Sequence, residues 1–286
     1  MSNVLITGGL GFVGRHLTSA LTKLGERPVL IVRENQVDLS QNNVRFIHLG
    51  QLEEFIKTEA VDCVINLAGF YTIDDGPKSA LELIESNITF PTTIASHLCT
   101  GGSAPTWIQA STFMQHVESR FFDPACLYAS TKEAMLKVLK HFENTGFNVV
   151  NIILPHIYGD NDGRGKLLER LIASAKSGDC VALSSGNQQF DLVHVSDVVE
   201  CLIQALSIRE CTEFQLTSQT VLTIREVVEE IKSSSPKGLS VTYDHNLDRP
   251  RDTFQKWIVS PKPEWWNENF NVTRWIKEQF NDKNQE

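Results

Sequence analysis

A tyrosine and a lysine stand four residues apart in the segment Tyr128-Ala-Ser-Thr-Lys132. In a helix this spacing places both side chains on one face, so the phenol and the ammonium lie close together. Tyrosine normally has a pKa of about 10, and a neighbouring ammonium favours the phenolate. Lowering that pKa to about 7 takes roughly 4 kcal/mol of differential stabilisation. The pair is therefore a candidate for acid–base catalysis.

A glycine-rich turn near the start of the chain lies between an apolar run and a segment with helical spacing. Gly8, Gly11 and Gly14 form the pattern GxxGxxG, and Phe12 and Val13 stand between the last two. In such a turn the first glycine permits a tight bend and the second lets a pyrophosphate approach the backbone. The third lets the helix pack closely on the sheet. The turn predicts a dinucleotide site, and a structural glycine turn is the alternative.

The residue after the second apolar run bears on which dinucleotide is bound. Arg33 stands where an Asp or Glu usually accepts the ribose hydroxyls of a cofactor without a 2′-phosphate. A guanidinium suits the 2′-phosphate of NADP(H) instead, and Arg15 could join it. The alternative is a solvated surface arginine, and Glu34 follows directly. We therefore predict NADP(H).

The elements that must position these residues alternate along the first half of the chain. Predicted strands cover 3–7, 29–32, 44–49, 63–67, 106–109 and 148–153, and predicted helices cover 15–24, 51–58, 79–99 and 129–145. This alternation predicts the α/β class, with a parallel, doubly wound Rossmann sheet.

The second half of the chain is less regular. Helices are predicted at 166–176, 198–207 and 224–233, with a strand at 191–195 and an aromatic, partly helical end at 265–280. We expect a Rossmann domain over 1–155, onto which later segments pack back. A smaller C-terminal α/β substrate-binding domain is expected over 156–286.

Composition and charge exclude several classes of protein for this chain. The 286 residues are 41% hydrophobic, which suffices for a buried core, and the net charge of −9 comes without any basic run. None of the six cysteines is spaced as CxxC, so neither a metal site nor a disulfide framework is predicted. The apolar runs are shorter than the roughly 18 residues of a membrane span. We expect a cytoplasmic protein without nucleic-acid or membrane partners.

Five further features extend the two motifs. They are the segment NLAG at 66–69, Asn87, PHIYG at 155–159, GNQQFDLVHVSDV at 186–198 and RPRD at 249–252. Together they resemble the extended short-chain dehydrogenase/reductase family of NAD(P)-dependent nucleotide-sugar epimerases, dehydratases and reductases. The resemblance covers nearly the whole chain.

The resemblance implies three groups of site residues. A third catalytic hydroxyl is implied near the end of the fifth strand, where the register favours Ser111 over Thr112; a hydroxyl that merely caps the strand is the alternative. Residues expected at the cofactor are Gly8, Gly11, Phe12, Val13, Gly14, Arg15, Arg33, Leu67, Ala68, Gly69, Asn87, Tyr128, Lys132 and Pro155. Residues expected at the substrate are Ser111, Thr112, Phe113, Tyr128, His156, Lys166, Gln188 and Arg249.

Departures from the family pattern reduce the number of reactions expected of this chain. The Asp-Glu pair that dehydratases carry after the hydroxyl is absent, since Phe113-Met114 follow Thr112 here, so dehydration is not expected. Phe190 replaces an Arg that contacts phosphate, and the residues that could compensate are Arg164, Lys166, Arg249 and Arg251.

Among subfamilies, the short chain and the segment Ile84-Glu85-Ser86-Asn87 look most like reductases of CDP-4-keto-6-deoxyhexoses. Those enzymes make abequose and paratose for bacterial surface polysaccharides. The resemblance implies an NADPH-dependent reductase in which Tyr128 donates a proton to the C4 carbonyl and Ser111 polarises that carbonyl. Lys132 is expected to hold the nicotinamide ribose and, together with the oxidised nicotinamide, to favour the phenolate of Tyr128. A nucleotide-sugar 4-epimerase and a non-catalytic NADP(H) sensor or scaffold are the alternatives. A homodimer that pairs the helices at 79–99 and 129–145 is also expected.

Overall fold

The computed structural model describes residues 3–33, 44–249 and 251–281. Glu34 and Pro250, quoted above, lie outside the described residues. The strands are β1 (Val4–Thr7), β2 (Val29–Val32), β3 (Arg45–His48), β4 (Cys63–Asn66), β5 (Thr106–Thr112), β6 (Asn148–Leu154), β7 (His156–Tyr158), β8 (Cys180–Leu183), β9 (Gln189–Phe190), β10 (Leu192–His194), β11 (Thr212–Gln215), β12 (Leu222–Thr223) and β13 (Ser240–Tyr243). The helices are α1 (Phe12–Lys23), α2 (Leu52–Thr58), α3 (Pro77–Ile84), α4 (Phe90–Thr100), α5 (Leu127–Glu143), α6 (Leu167–Ser177), α7 (Val195–Ala205), α8 (Ile224–Ser234) and α9 (Val272–Glu278).

A parallel sheet of seven strands forms the centre of the molecule, in the order β11-β6-β5-β4-β1-β2-β3. Strands β1, β2 and β4 are buried along their whole length, because helices cover both faces. The predicted α/β class and doubly wound parallel sheet are confirmed.

Two apolar layers enclose this sheet. One face packs against α1 and α7, with Leu17 and Leu202 among its fully buried side chains. The other face packs against α2, α4 and α5, with Ile94 and Leu139 fully buried. Strand β11 and helix α7 both follow residue 155, so later parts of the chain complete the sheet and its covering layer. A further apolar core lies among β8, β10, α6, α8 and α9.

Several predicted boundaries were wrong. Strand β5 continues to Thr112 rather than ending at 109, because residues 110–112 keep pairing with β6. Helix α1 begins at Phe12 rather than at 15, directly after its N-cap Gly11. The short strands β7, β8, β9, β11, β12 and β13 were not predicted. Their alternation is too short to stand out, and each is stabilised by a distant partner.

The helix predicted at 79–99 is interrupted. A π-helical turn at Glu85–Thr89 separates α3 from α4. Pro91 follows this turn and has no amide hydrogen for the carbonyl four residues earlier, so a regular α-helical ladder cannot continue there. The turn carries Asn87, which is buried. Within the described ranges, no helix has both the length and the apolar character needed to cross a membrane.

Candidate functional site

The carboxyl ends of the parallel strands meet at one edge of the sheet, where ligands of such folds bind. Strand β1 leads into the glycine turn, β4 into the NLAG segment, and β5 into Phe113. Helix α5 brings Tyr128 in its first turn. The site is built at this edge.

The glycine turn leaves no room for side chains. Gly8 has a φ of +67°, and a Cβ there would lie 2.7 Å from the amide nitrogen of Ala68. A Cβ on Gly14 would lie 2.1 Å from the carbonyl oxygen of Gly8. The amide of Gly11 donates to that same oxygen at 2.9 Å, which closes the turn at the start of α1. Gly8 and Gly14 are therefore required by close backbone approach.

A buried polar network joins the turn to the neighbouring strands. The hydroxyl of Thr7 donates to Asn66 Oδ1 at 2.5 Å, and Asn66 Nδ2 donates to Gln109 Oε1 at 2.9 Å. The amide of Ala68 donates to the Thr7 hydroxyl at 3.1 Å. Each of these side chains is almost fully buried, so the bonds satisfy groups that would be costly to leave unpaired. The network fixes Leu67 and Ala68 beside the glycine turn.

Asn87 links the loop after β4 to α5. Its Oδ1 accepts from the amide of Phe70 at 2.9 Å, and its Nδ2 donates to the Thr131 hydroxyl at 2.9 Å. A Cβ on Gly69 would lie 3.1 Å from Asn87 Oδ1 and 3.4 Å from Lys132 Nζ. The structure therefore brings Gly69, Asn87 and Lys132 together, and their contact with a cofactor stays a prediction.

Tyr128 and Lys132 occupy the same face of α5, and burial shifts the pKa of both. Burial raises the pKa of Tyr128 well above its usual range, and the cation that opposes this rise is Arg164 rather than Lys132. Burial also lowers the pKa of Lys132 to about 8. Desolvation is the largest cause of the rise in the pKa of Tyr128, so Tyr128 is a protonated phenol at neutral pH. The expectation that Lys132 and an oxidised nicotinamide together favour the phenolate stays a prediction.

The two candidate hydroxyls at the end of β5 have different partners. The Ser111 hydroxyl donates to Asn151 Oδ1 on β6, and Asn151 Nδ2 donates to Glu213 on β11 at 2.8 Å. The Thr112 hydroxyl accepts from the amide of Met114 at 3.3 Å, which leaves its own hydrogen for another acceptor. The hydrogen bonds therefore revise the preference for Ser111 and favour Thr112 as the donor to a ligand.

The two arginines expected at the cofactor have separate partners. Arg33 Nη2 donates to the Ser86 hydroxyl at 2.5 Å, and its guanidinium lies 5.5 Å from the centroid of the Phe90 ring. Arg15 Nη2 instead donates to the carbonyl oxygen of Asn161 at 2.8 Å. Arg33 is held at the end of β2, where a residue that binds the 2′-phosphate is expected. The described contacts of Arg15 do not place it beside Arg33.

Three cations lie near the paired rings of Tyr71 and Tyr128. Lys166 Nζ is 3.4 Å from the centroid of the Tyr71 ring, which meets the Tyr128 ring at 4.9 Å. Arg164 lies over the Phe12 ring at 4.4 Å, and its charge reaches Tyr128. The charge of Arg249 reaches Tyr71. Lys166 and Arg249 thus act on Tyr71, whose ring contacts that of Tyr128, and their binding of a substrate stays a prediction.

The other predicted substrate residues form a packed aromatic group. The His156 ring lies 4.9 Å from Phe113 and 4.5 Å from Phe190, and Trp257 lies 5.7 Å from Phe113. Burial lowers the pKa of His156 to about 4, so the imidazole is neutral. Phe190 is therefore a packing residue where the family carries a phosphate-binding arginine. A small cavity lies beside this group, lined by Phe113, His156, Gln189, Asp191, Thr253, Lys256 and Trp257.

The side-chain amide of Gln188, predicted at the substrate, is mostly used in hydrogen bonds to the segment after β13. Its Nε2 lies 2.8 Å from Asp248 and 2.9 Å from Asp252, while its Oε1 is buried without a partner among the described residues. Only this carbonyl oxygen remains for a ligand.

Comparison with known proteins now decides the family. A family model described as the NAD dependent epimerase/dehydratase family matches residues 4–213. The chain belongs to this family. The resemblance read from the motifs is thus confirmed, and the chain is an enzyme of the extended short-chain dehydrogenase/reductase type.

Curated relatives in this family include reductases of deoxysugar synthesis. CDP-abequose synthase of Salmonella typhimurium is 24% identical over 96% of both chains, and that of Yersinia pseudotuberculosis is 26% identical over 83% of this chain and 86% of its own. A dTDP-4-dehydro-6-deoxy-D-allose reductase of Streptomyces is 23% identical over 78% of both chains.

Solved structures of the family share the fold. UDP-glucuronic acid 4-epimerase of Bacillus cereus gives a TM-score of 0.84 at 16% identity, covering 97% of this chain and 98% of its own. UDP-glucose 4-epimerase of Thermus thermophilus, solved with NAD, gives 0.79 at 20% identity over 97% and 98%.

The residues present fit a nicotinamide dinucleotide. The glycine turn leaves bare backbone at a helix N-terminus, and the buried Lys132 lies beside Gly69. Motif reading missed Tyr71, which follows the NLAG segment by two residues, and the Asn151–Glu213 pair behind Ser111. Neither carries a local pattern that would have exposed it.

Proposed function

We propose that this enzyme is an NADPH-dependent reductase of a nucleotide-linked 4-keto-6-deoxyhexose, with a CDP-sugar as the favoured substrate. The observation that carries the proposal is the similarity of the chain to CDP-abequose synthases, which covers 83% and 96% of its length. A reductase needs a proton donor when the substrate enters, whereas oxidation of a sugar hydroxyl needs a base. Tyr128, as a protonated phenol, would serve as that donor.

The chain's own groups divide the work of carbonyl reduction. Thr112 donates a hydrogen bond to the C4 carbonyl oxygen and so stabilises the negative charge that develops there. Tyr128 Oη then passes its proton to that oxygen, which yields the alcohol. Lys132 binds the cofactor's ribose and, as an ammonium, stabilises the phenolate left behind until it is reprotonated.

The cofactor site is proposed from the residues at the sheet edge. The bound dihydronicotinamide would supply the hydride that reduces C4. The backbone of Gly8, Gly11 and Gly14 would hold its pyrophosphate, and Leu67, Ala68, Gly69 and Pro155 would line it. Arg33 would hold the 2′-phosphate, because its guanidinium is already fixed at the end of β2.

Three cations near Tyr128 suit a nucleoside diphosphate. Arg164 and Lys166 lie in one segment just before α6, Arg249 lies in the segment after β13, and together they would take over from the arginine that Phe190 replaces. The similarity to CDP-abequose synthases over nearly the whole chain supports a CDP-sugar. The reaction would then serve deoxysugar synthesis for surface polysaccharides such as O-antigen.

Isotope transfer tests the reaction directly. The protein is incubated with a CDP-4-keto-6-deoxyhexose and NADPH carrying deuterium at the transferred position, and the sugar is analysed by mass spectrometry. One deuterium per product with consumption of one NADPH supports the reductase. A C4 epimer formed from a CDP-hexose without net NADPH consumption would instead support a 4-epimerase. Absence of any turnover with tight NADPH binding would favour a sensor or scaffold.

A single substitution tests the cofactor preference. Arg33→Gln should lower the preference for NADPH over NADH by about tenfold or more, since a charge-assisted contact to phosphate is lost. The ratio of kcat/KM for the two cofactors measures this, and Arg15→Gln is the matched control. An unchanged ratio for Arg33→Gln would remove the argument for NADP(H).

A further inference from the structure

Tyr71 lies in the loop between β4 and α3, outside the motifs that identify the family. Its ring meets the Tyr128 ring edge to face, with centroids 4.9 Å apart and planes at 79°. The side chain is 43% exposed, so part of the ring remains open beside the proposed proton donor. A sugar that receives the proton of Tyr128 must lie next to this ring.

A lysine from the second half of the chain holds the same ring. Lys166 immediately precedes α6, and its Nζ lies 3.4 Å from the Tyr71 ring centroid. Burial and the charge of Arg164 lower the pKa of Lys166 to about 8, which shows an ammonium partly shielded from water. Cation–π attraction strengthens under such shielding. The contact therefore fixes Tyr71 between the β4 loop and the start of α6.

A second lysine–aromatic contact lies outside the candidate site and serves for comparison. Lys137 Nζ lies 3.7 Å from the Phe122 ring centroid, and both side chains are exposed. Neither residue is among those proposed to bind cofactor or substrate. This pair provides matched controls for both members of the Tyr71–Lys166 pair.

We propose that Tyr71 is a substrate-positioning residue: its ring is the wall against which the sugar rests beside Tyr128, and Lys166 holds that ring in place. The inference rests on the proposed function for the identity of the sugar. A 6-deoxyhexose suits such a wall, because its methyl and C–H groups pack on an aromatic surface without leaving a polar group unpaired. The phenol hydroxyl of Tyr71 is not needed for this role.

Kinetics with the CDP-4-keto-6-deoxyhexose test the wall. Tyr71→Leu should lower kcat at least about tenfold, because a misplaced sugar reaches the transition state less often. Its NADPH affinity, measured by fluorescence titration, should remain that of the wild type. Tyr71→Phe should restore kcat to within about threefold, since it keeps the ring. Phe122→Leu is the matched control and should have no effect.

Substitution of Lys166 tests whether the position of the Tyr71 ring depends on its contact with this lysine. Lys166→Met should lower kcat in the same direction as Tyr71→Leu, and the double variant should lose less than the product of the two single losses. Lys137→Met is the control. If Tyr71→Leu does not fold, Lys166→Met and Tyr71→Phe carry the test.

Chemical labelling tests the contact without any turnover. Limiting acetic anhydride is added to the full chain, and acetylation of each lysine is quantified by peptide mass spectrometry. Tyr71→Leu should raise the labelling of Lys166 severalfold and leave that of Lys137 unchanged. Phe122→Leu should leave the labelling of Lys166 unchanged, and any rise should be at Lys137. Tyr71→Phe should label like the wild type.

These two readouts separate the two proposals. If the wild type reduces no 4-keto-6-deoxyhexose, the proposed function fails, and the labelling of Lys166 alone decides whether the contact exists. Unchanged Lys166 labelling in Tyr71→Leu would overturn the inference. Wild-type kcat in both Tyr71→Leu and Lys166→Met would overturn it as well.

Discussion

The proposed cofactor side and the proposed substrate side of this site are built by different means. On the cofactor side, backbone approaches backbone: a Cβ on Gly14 would lie 2.1 Å from the Gly8 carbonyl oxygen. On the substrate side, aromatic side chains from distant segments pack together, as in the contacts of His156 with Phe113 and Phe190. A backbone constraint leaves a short motif in the sequence, whereas packing between distant side chains leaves none.

The largest expected effect tests the backbone constraint. Gly14→Ala places a methyl group against backbone atoms that cannot move independently, and we expect a loss of about 3 kcal/mol in stability together with loss of NADPH binding. Gly9→Ala is the comparison variant from the same turn, because its Cβ would meet the side chain of buried Leu30 at 2.6 Å rather than backbone atoms, so we expect a smaller loss of stability. Urea unfolding and fluorescence titration measure both effects. Equal losses in the two variants would contradict the assigned role of Gly14.

The next effect concerns the hydroxyls at the boundary between the two sides. Thr112→Val keeps the shape but removes the donor to the carbonyl oxygen, and we expect kcat to fall by about 100-fold. Ser111→Ala leaves the Asn151 oxygen unpaired, so we expect a loss of about 1–3 kcal/mol in stability and a small change in kcat. Steady-state kinetics and unfolding curves distinguish the two variants. A large fall in kcat in Ser111→Ala with a small one in Thr112→Val would assign the catalytic role to Ser111 instead.

A smaller effect concerns the buried lysine of the cofactor side. The pKa of Lys132 is about 8 in the folded chain against an ordinary value of 10.5, so the unfolded chain binds more protons between these pH values. The stability of the wild type therefore rises with pH across this window. Lys132→Met should be more stable than the wild type at pH 7, by about 1 kcal/mol or more, although it should be inactive.

This gain in stability should shrink as the pH rises from about 8 to 10.5. Thermal unfolding of the cofactor-free protein at several pH values measures it, with Lys137→Met as the exposed control. A gain that does not depend on pH would show that packing, rather than the buried charge, sets the stability difference.

The sequence predicted much of the cofactor side for a physical reason. Gly8 and Gly14 are needed by close contacts, and the spacing of Tyr128 and Lys132 follows from one turn of helix. Asn87 was recognised from its motif, but its π-helical turn was not, because a π-helical turn has no periodic signature. The raised pKa of Tyr128 also depends on burial that no local pattern encodes.

Less of the substrate side could be predicted. The role of Gln188 depends on Asp248 and Asp252, which lie about sixty residues away, and Phe190 was recognised only as a missing arginine. The choice between Ser111 and Thr112 rests on Asn151, a partner on the next strand. Each of these details arises from the packing of distant segments, so sequence spacing could not reveal it.

One measurement tests the central claim most directly: NADPH oxidation with a CDP-4-keto-6-deoxyhexose, compared between the wild type and Tyr128→Phe. The proposed mechanism predicts turnover that falls by about 100-fold or more in the variant, since a positioned acid is lost while NADPH affinity is kept. Turnover that survives in Tyr128→Phe would contradict the role of the buried phenol. No turnover in the wild type would contradict the proposed substrate.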